Sequence, residues 1–101
     1  MKKTFKLTHP KIKFARLVDA VRRDVKKYLA RERKKELPEG FDVWDFDCRV
    51  GLTAEQAKIV TVPELGAAID AAQAQQPESL YIEILAKPSH RTENLTPKNN
   101  D

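Results

Sequence analysis

Between residues 13 and 34, lysine and arginine recur at steps that a helix would bring to one side. At 100° per residue, the apolar positions Phe14, Leu17, Val18, Val21, Val25, Tyr28 and Leu29 form one stripe. Arg16, Arg23, Lys27 and Lys34 then fall almost opposite it, with Lys13 and Arg31 close by. Arg22, Lys26 and Arg33 sit on one flank. Arg23–Lys27 and Lys27–Arg31 are like-charge pairs four apart, each weakening an isolated helix by about 0.2–0.5 kcal/mol. Asp19 and Asp24 offset this only in part. Such a face attracts phosphates without reading sequence. The simpler alternative is a solvated face, because Lys and Arg form helices well and basic residues near a C-terminus complement the helix dipole.

Lys11 and Lys13 stand at the expected start of that helix. Free N–H groups and the positive dipole end make cations misplaced there unless an anion binds. Thr8, His9, Lys11 and Lys13 could form a small phosphate or carboxylate pocket; the plainer alternative is that Lys11 points to water. Asp45 and Asp47 share the outer face of an expected strand, with Asp42 nearby. Paired carboxylates can hold a hard cation or act as acid and base, but two residues alone meet neither need. Solubility, or protection of a strand edge, accounts for them. Cys48 alternates inward with Trp44 and Phe46, as a small buried hydrophobe does. A nucleophilic thiol needs a base. The two histidines, His9 and His90, fall at opposite ends of the expected sheet, which argues against a shared metal site. His9 lies towards the same end as Cys48, but an inward thiol and an outward loop rarely meet. Glycines at 40, 51 and 66 are scattered and make no phosphate-cradling loop. No catalytic residue, metal ligand or cofactor is expected.

Six elements must position these residues. Alternation over 3–7 predicts a strand, which Thr8-His9-Pro10 breaks. The apolar steps of three and four predict a helix over 12–37, stopped by Pro38-Glu39-Gly40. That helix would run to about 38 Å, so its last turns, from Arg31 to Leu37, are expected to project past the sheet. Strict alternation predicts a strand over 43–50, with Trp44, Phe46, Cys48 and Val50 on one side. The β-branched run over 58–62 predicts another. Thr61-x-x-Glu64 has the form of a capping box, with Pro63 in the first turn, and opens a second helix to about residue 76. A last strand is expected over 80–86. The order β-α-β-β-α-β, with one apolar side per element, predicts an α+β two-layer sandwich, ferredoxin-like, with a long first helix. RNA-recognition modules share this order and bind through aromatics on central strands. Here the strand expected to supply them, 58–62, has none, and Phe5 is needed in the core.

Composition narrows the classes further. The chain has 101 residues, enough for one domain, expected over 1–91 with a disordered tail over 92–101. No run approaches the ~18–20 apolar residues of a membrane span, and MKKTFKL lacks the apolar stretch of a secretory signal. A lone Cys48 can make no internal disulfide, so a reducing cytoplasmic location is expected. The net charge of +4 conceals a division. Residues 1–35 hold 14 Lys/Arg against 3 Asp/Glu, and residues 36–101 hold 5 against 12.

Three strings are distinctive: Lys3-Thr4-Phe5-Lys6-Leu7-Thr8-His9-Pro10-Lys11, Trp44-Asp45-Phe46-Asp47-Cys48, and Ile84-Leu85-Ala86-Lys87-Pro88-Ser89-His90-Arg91. On them the chain resembles a family of short, basic bacterial proteins of unknown function, over most of its length to about Arg91. The resemblance implies a bacterial, cytoplasmic protein and carries over no functional residue. From the residues themselves, the leading expectation is a non-enzymatic binding module. Arg16, Arg23, Lys27, Arg31 and Lys34, with Lys11 and Lys13, would contact RNA or DNA backbone or another polyanion. The alternative is a protein-interaction or self-associating domain with a basic helix face opposed to an acidic sheet face.

Overall fold

In the computed structural model, which describes residues 1–90, the alternating start of the chain forms β1, Lys2–Lys6. The helix α1 covers Phe14–Arg33, followed by β2, Val43–Gly51, and β3, Lys58–Val60. A 3-10 turn over Val62–Glu64 leads into α2, Leu65–Ala74, and β4, Ser79–Ser89, completes the set. The β-α-β-β-α-β order and the α+β sandwich of two helices on one sheet are as the periodicities predict. All pairings are antiparallel, in the spatial order β1-β4-β2-β3. The central strands are therefore β4 and β2. The segment 58–62, against which base-stacking aromatics were sought, supplies an edge strand instead.

The core fills the space between the layers. Val18, Val21, Val25 and Leu29 come from α1, and Leu65, Ile69 and Ala72 from α2. Phe46, Cys48 and Val50 of β2 meet them with Leu80, Ile82 and Ile84 of β4. Ile82 and Ile84 are wholly inaccessible, as befits a strand paired on both sides. Truncating either to alanine should cost about 2–5 kcal/mol.

Of the boundaries that differ from the sequence reading, three have a clear physical reason. The helix α1 ends at Arg33, not at residue 37, because Leu37 precedes Pro38 and is steered out of the helical region. Its end does not overhang the sheet. The strand β4 runs on to Ser89 and pairs with β2 there, from Phe46↔Ala86 to Val43↔Ser89, and this two-stranded ribbon lies beneath the last turn. The Arg33 guanidinium sits 5.4 Å from the Phe46 ring centroid, and Trp44 Nε1–H donates to the Lys35 carbonyl at 2.9 Å. Pro88 is tolerated because β1 reaches only to Lys2↔Glu83, leaving residues 85–89 without a neighbour on that side among the described residues. Finally, β3 stops at Val60, because Thr61 turns away to begin the capping box, in which the Glu64 carboxylate accepts the Thr61 N–H at 2.8 Å. The expected tail over 92–101 lies outside the described residues.

Candidate functional site

The outer side of α1 is built by its own periodicity. Burying Val18, Val21, Val25 and Leu29 turns Arg16, Arg23, Lys27 and Arg31 outward, and all four are exposed. Lys34 is exposed too, but at the C-cap and not within the helix body. Arg16, Arg23, Lys27 and Lys34 have no ion pair or side-chain hydrogen bond among the described residues, while Arg31 rests 5.8 Å from the Tyr28 ring centroid. Arg22, one residue from Arg23, behaves differently. It turns towards α2, where Asp70 and Gln73 accept hydrogen bonds from its guanidinium. That flank is a staple between helices; the crest is bare.

At the start of α1, Lys11, Lys13 and Arg16 line a hollow of about 310 Å³ with Ile12. Lys13 is the N-cap and has no capping side chain, and the first turn holds no acid. Arg16 N–H and Leu17 N–H both donate to the Lys13 carbonyl. The loop before it is shaped by His9, whose Nδ1 accepts the Lys11 N–H at 3.0 Å. Thus the structure brings Lys11, Lys13 and Arg16 together, and strings Arg23, Lys27, Arg31 and Lys34 along the helix beyond.

The uncovered sheet face is not the acidic surface envisaged in the alternative reading. Glu83 does share it with Asp45 and Asp47, but so do cations. Lys87 reaches Asp47 at 2.9 Å, and its pKa is raised, chiefly by that hydrogen bond. Arg49 meets Glu83 at 3.3 Å, and donates also to the Ala54 and Ala57 carbonyls. Lys2 stands across from Glu83. Among the described residues, charges of both signs alternate over the face, so it is not an acidic face opposed to the basic helix.

Two features of that face escaped the sequence reading. Tyr81 is its aromatic residue, only 8% exposed, with its hydroxyl donating to Glu83 at 2.8 Å. Acceptance of that proton by Glu83 raises the tyrosine pKa, with burial adding to it. The other is the loop after β2, which lies against Gly51: an added Cβ there would come 2.5 Å from the Ala57 Cα. The signal for Tyr81 was its place out of phase with Leu80, Ile82 and Ile84. Nothing in the sequence marked the loop.

The residues considered for catalysis do not converge. Cys48 is 1% exposed and its thiol points to the Phe46 carbonyl at 3.9 Å. Burial, then the carboxylates of Asp47 and Asp45, push its pKa up, opposite to the shift a nucleophile needs. His9 is occupied by the Lys11 N–H. His90 stacks on Phe41 with ring centroids 5.1 Å apart, past the far end of β4. Among the described residues no group of three or more His, Cys, Asp or Glu could hold a metal ion. Among those residues, no helix is long and apolar enough to cross a membrane.

These observations define a small two-layer α+β protein with one bare, basic helix crest. The chain belongs to a family of unknown function, DUF6172, whose model matches residues 1–96 and so extends past the limit near Arg91 that the three strings suggested. No curated protein and no solved structure matches it.

Proposed function

We propose that this protein is a non-enzymatic binding module whose α1 crest contacts the backbone of a nucleic acid or another polyanion. The observation that carries the reading is the absence of any carboxylate partner, among the described residues, for Arg16, Arg23, Lys27 and Lys34. Four cations held in a row repel one another, and phosphates relieve that repulsion while releasing counterions. The uncapped start of α1, with Lys11 and Lys13 beside it, extends the same preference for anions. Recognition is of charge and not of bases. The single buried cysteine fits a reducing compartment, which this reading takes to be a bacterial cytoplasm.

The test is retention on heparin or immobilised RNA at low salt. Reversal of Arg23 and Lys27 to Glu should abolish retention while leaving the far-UV circular dichroism unchanged. Undiminished retention by the folded variant would remove the proposal.

Self-association is the second reading, and one observation favours it. Among the described residues the β3 edge is unpaired on its outer side, and Ile59 at its centre is 84% exposed. A dimer formed there would be held by backbone hydrogen bonds and apolar contact, so its sedimentation should hardly change with salt.

A further inference from the structure

The edge of the sheet beside α1 carries a second line of positive charge. Strand β1 holds Lys2, Lys3 and Lys6, all exposed and without an ion pair among the described residues. Lys3 is the one on the helix side, its ammonium 4.8 Å from the Phe5 ring centroid. Lys2 lies across from Glu83, but that carboxylate is engaged by Arg49 and Tyr81. The flank of α1 that faces β1 is marked by Tyr28, whose hydroxyl accepts a hydrogen bond from the Met1 amine at 3.0 Å. Asp24 lies one turn before Tyr28 on that flank, and Glu32 lies one turn after it, paired with Lys35.

The charge pattern across this side of the molecule is therefore positive, negative, positive. The crest of α1 forms one cationic line; the β1 edge forms the other, with Lys3 on the helix side and Lys2 and Lys6 on the uncovered side of the same edge strand. Lys11 and Lys13 close the gap at the end where the chain passes from strand to helix. Between the lines lie Asp24 and Glu32. The body of α1 stands between crest and edge, and a helix with its side chains is about 10–12 Å across. The major groove of a B-form duplex is about 12 Å wide, with a row of phosphates on each border. A single strand running between the lines would cross the two carboxylates. A duplex would instead place a phosphate row on each line and leave the carboxylates over the open groove.

Resting on the proposed polyanion reading, we infer that the ligand is a double-stranded nucleic acid, with β1 gripping one phosphate row through Lys2, Lys3 and Lys6 while α1 grips the other. The competing role for these lysines is to guard an edge strand against pairing with another chain. The two roles differ in what removal of the charge does.

The probe is a fluorescein-labelled 20-base-pair duplex, as DNA and as RNA, set against one of its strands alone. Anisotropy titrations between 50 and 200 mM salt would compare the intact chain with a Lys2→Ala, Lys3→Ala, Lys6→Ala triple variant and an Arg23→Glu, Lys27→Glu double variant. The duplex should bind at least tenfold tighter than the single strand. The triple variant should lose about tenfold or more on duplex at low salt, with its log–log salt slope smaller by about 2–3 units. Thermal melting of each variant establishes that it is folded, and Lys→Thr versions at the same sites, which favour strand, should reproduce the loss. If the double variant loses binding and the folded triple variant keeps both affinity and slope, the β1 grip is overturned and the α1 reading stands. A triple variant that self-associates in sedimentation while binding duplex unchanged assigns the lysines to edge protection and overturns the inference as well. Equal affinity for single strand and duplex overturns the two-row geometry. Loss of neither interaction in either variant overturns both readings.

Discussion

At the scale of single residues, position 51 shows how little room the sheet surface leaves. Gly51 stands on the uncovered face beside Tyr81, and the Ala57 backbone lies where a side chain would begin. The obstruction is backbone, and Arg49 holds it in place by bonding the Ala54 and Ala57 carbonyls. Gly51→Ala should therefore cost about 1–3 kcal/mol, measurable as a lower midpoint in urea. A cost below 0.5 kcal/mol would show that the loop shifts freely. The helix face was legible because outward direction follows from spacing alone, as for Arg23 and Lys27. Which cations stay unpartnered was not. Arg22 and Arg23 are neighbours in sequence, yet Arg22 finds Asp70 through a contact between residues 48 apart, and no local pattern encodes that.

At the scale of elements, the start of α2 gives a pH prediction. The Glu64 pKa is lowered, first because its carboxylate accepts the Thr61 backbone N–H and then through the Thr61 side chain. A carboxyl whose folded pKa lies below its unfolded one contributes stability above the unfolded value, and loses it as pH falls through the folded value. Thermal midpoints should thus drop on acidification below about pH 4.3, and Glu64→Gln should flatten that part of the profile. An unaltered acid limb in the variant would sink the prediction. The capping box was readable from Thr61-x-x-Glu64. The end of the helix was not, for Gln76 adopts φ = 48°, a left-handed conformation that favours glycine. Gln76→Gly should raise stability by about 1 kcal/mol. Alternation marked β1 and β2, and β-branched residues marked β3, yet alternation reports only which way side chains face. It says nothing about which strand lies next to which, so the central place of β4 and the edge place of β3 needed the fold.

At the scale of the whole molecule, charge is divided and not merely in excess. The sequence pI is about 9.3, and 14 of the 19 Lys and Arg residues fall within the first 35 positions. At net neutrality the positive charge of the α1 crest and the β1 edge is therefore still set apart from the carboxylates of residues 36–101. The protein should consequently be held by a cation exchanger at pH 9.5, and the Arg23→Glu, Lys27→Glu variant should flow through. Elution of both in the void would mean that the cations are not concentrated enough to act together.

The indole of Trp44 is the only one in the chain, and its N–H is tethered to Lys35, just beyond the last turn of α1. Its emission therefore works as a built-in gauge of whether the helix terminus is seated on the β2–β4 ribbon. Any process that lifts this terminus, be it heating, acid or a ligand pulling on Lys34, should register as a wavelength shift in the unlabelled protein.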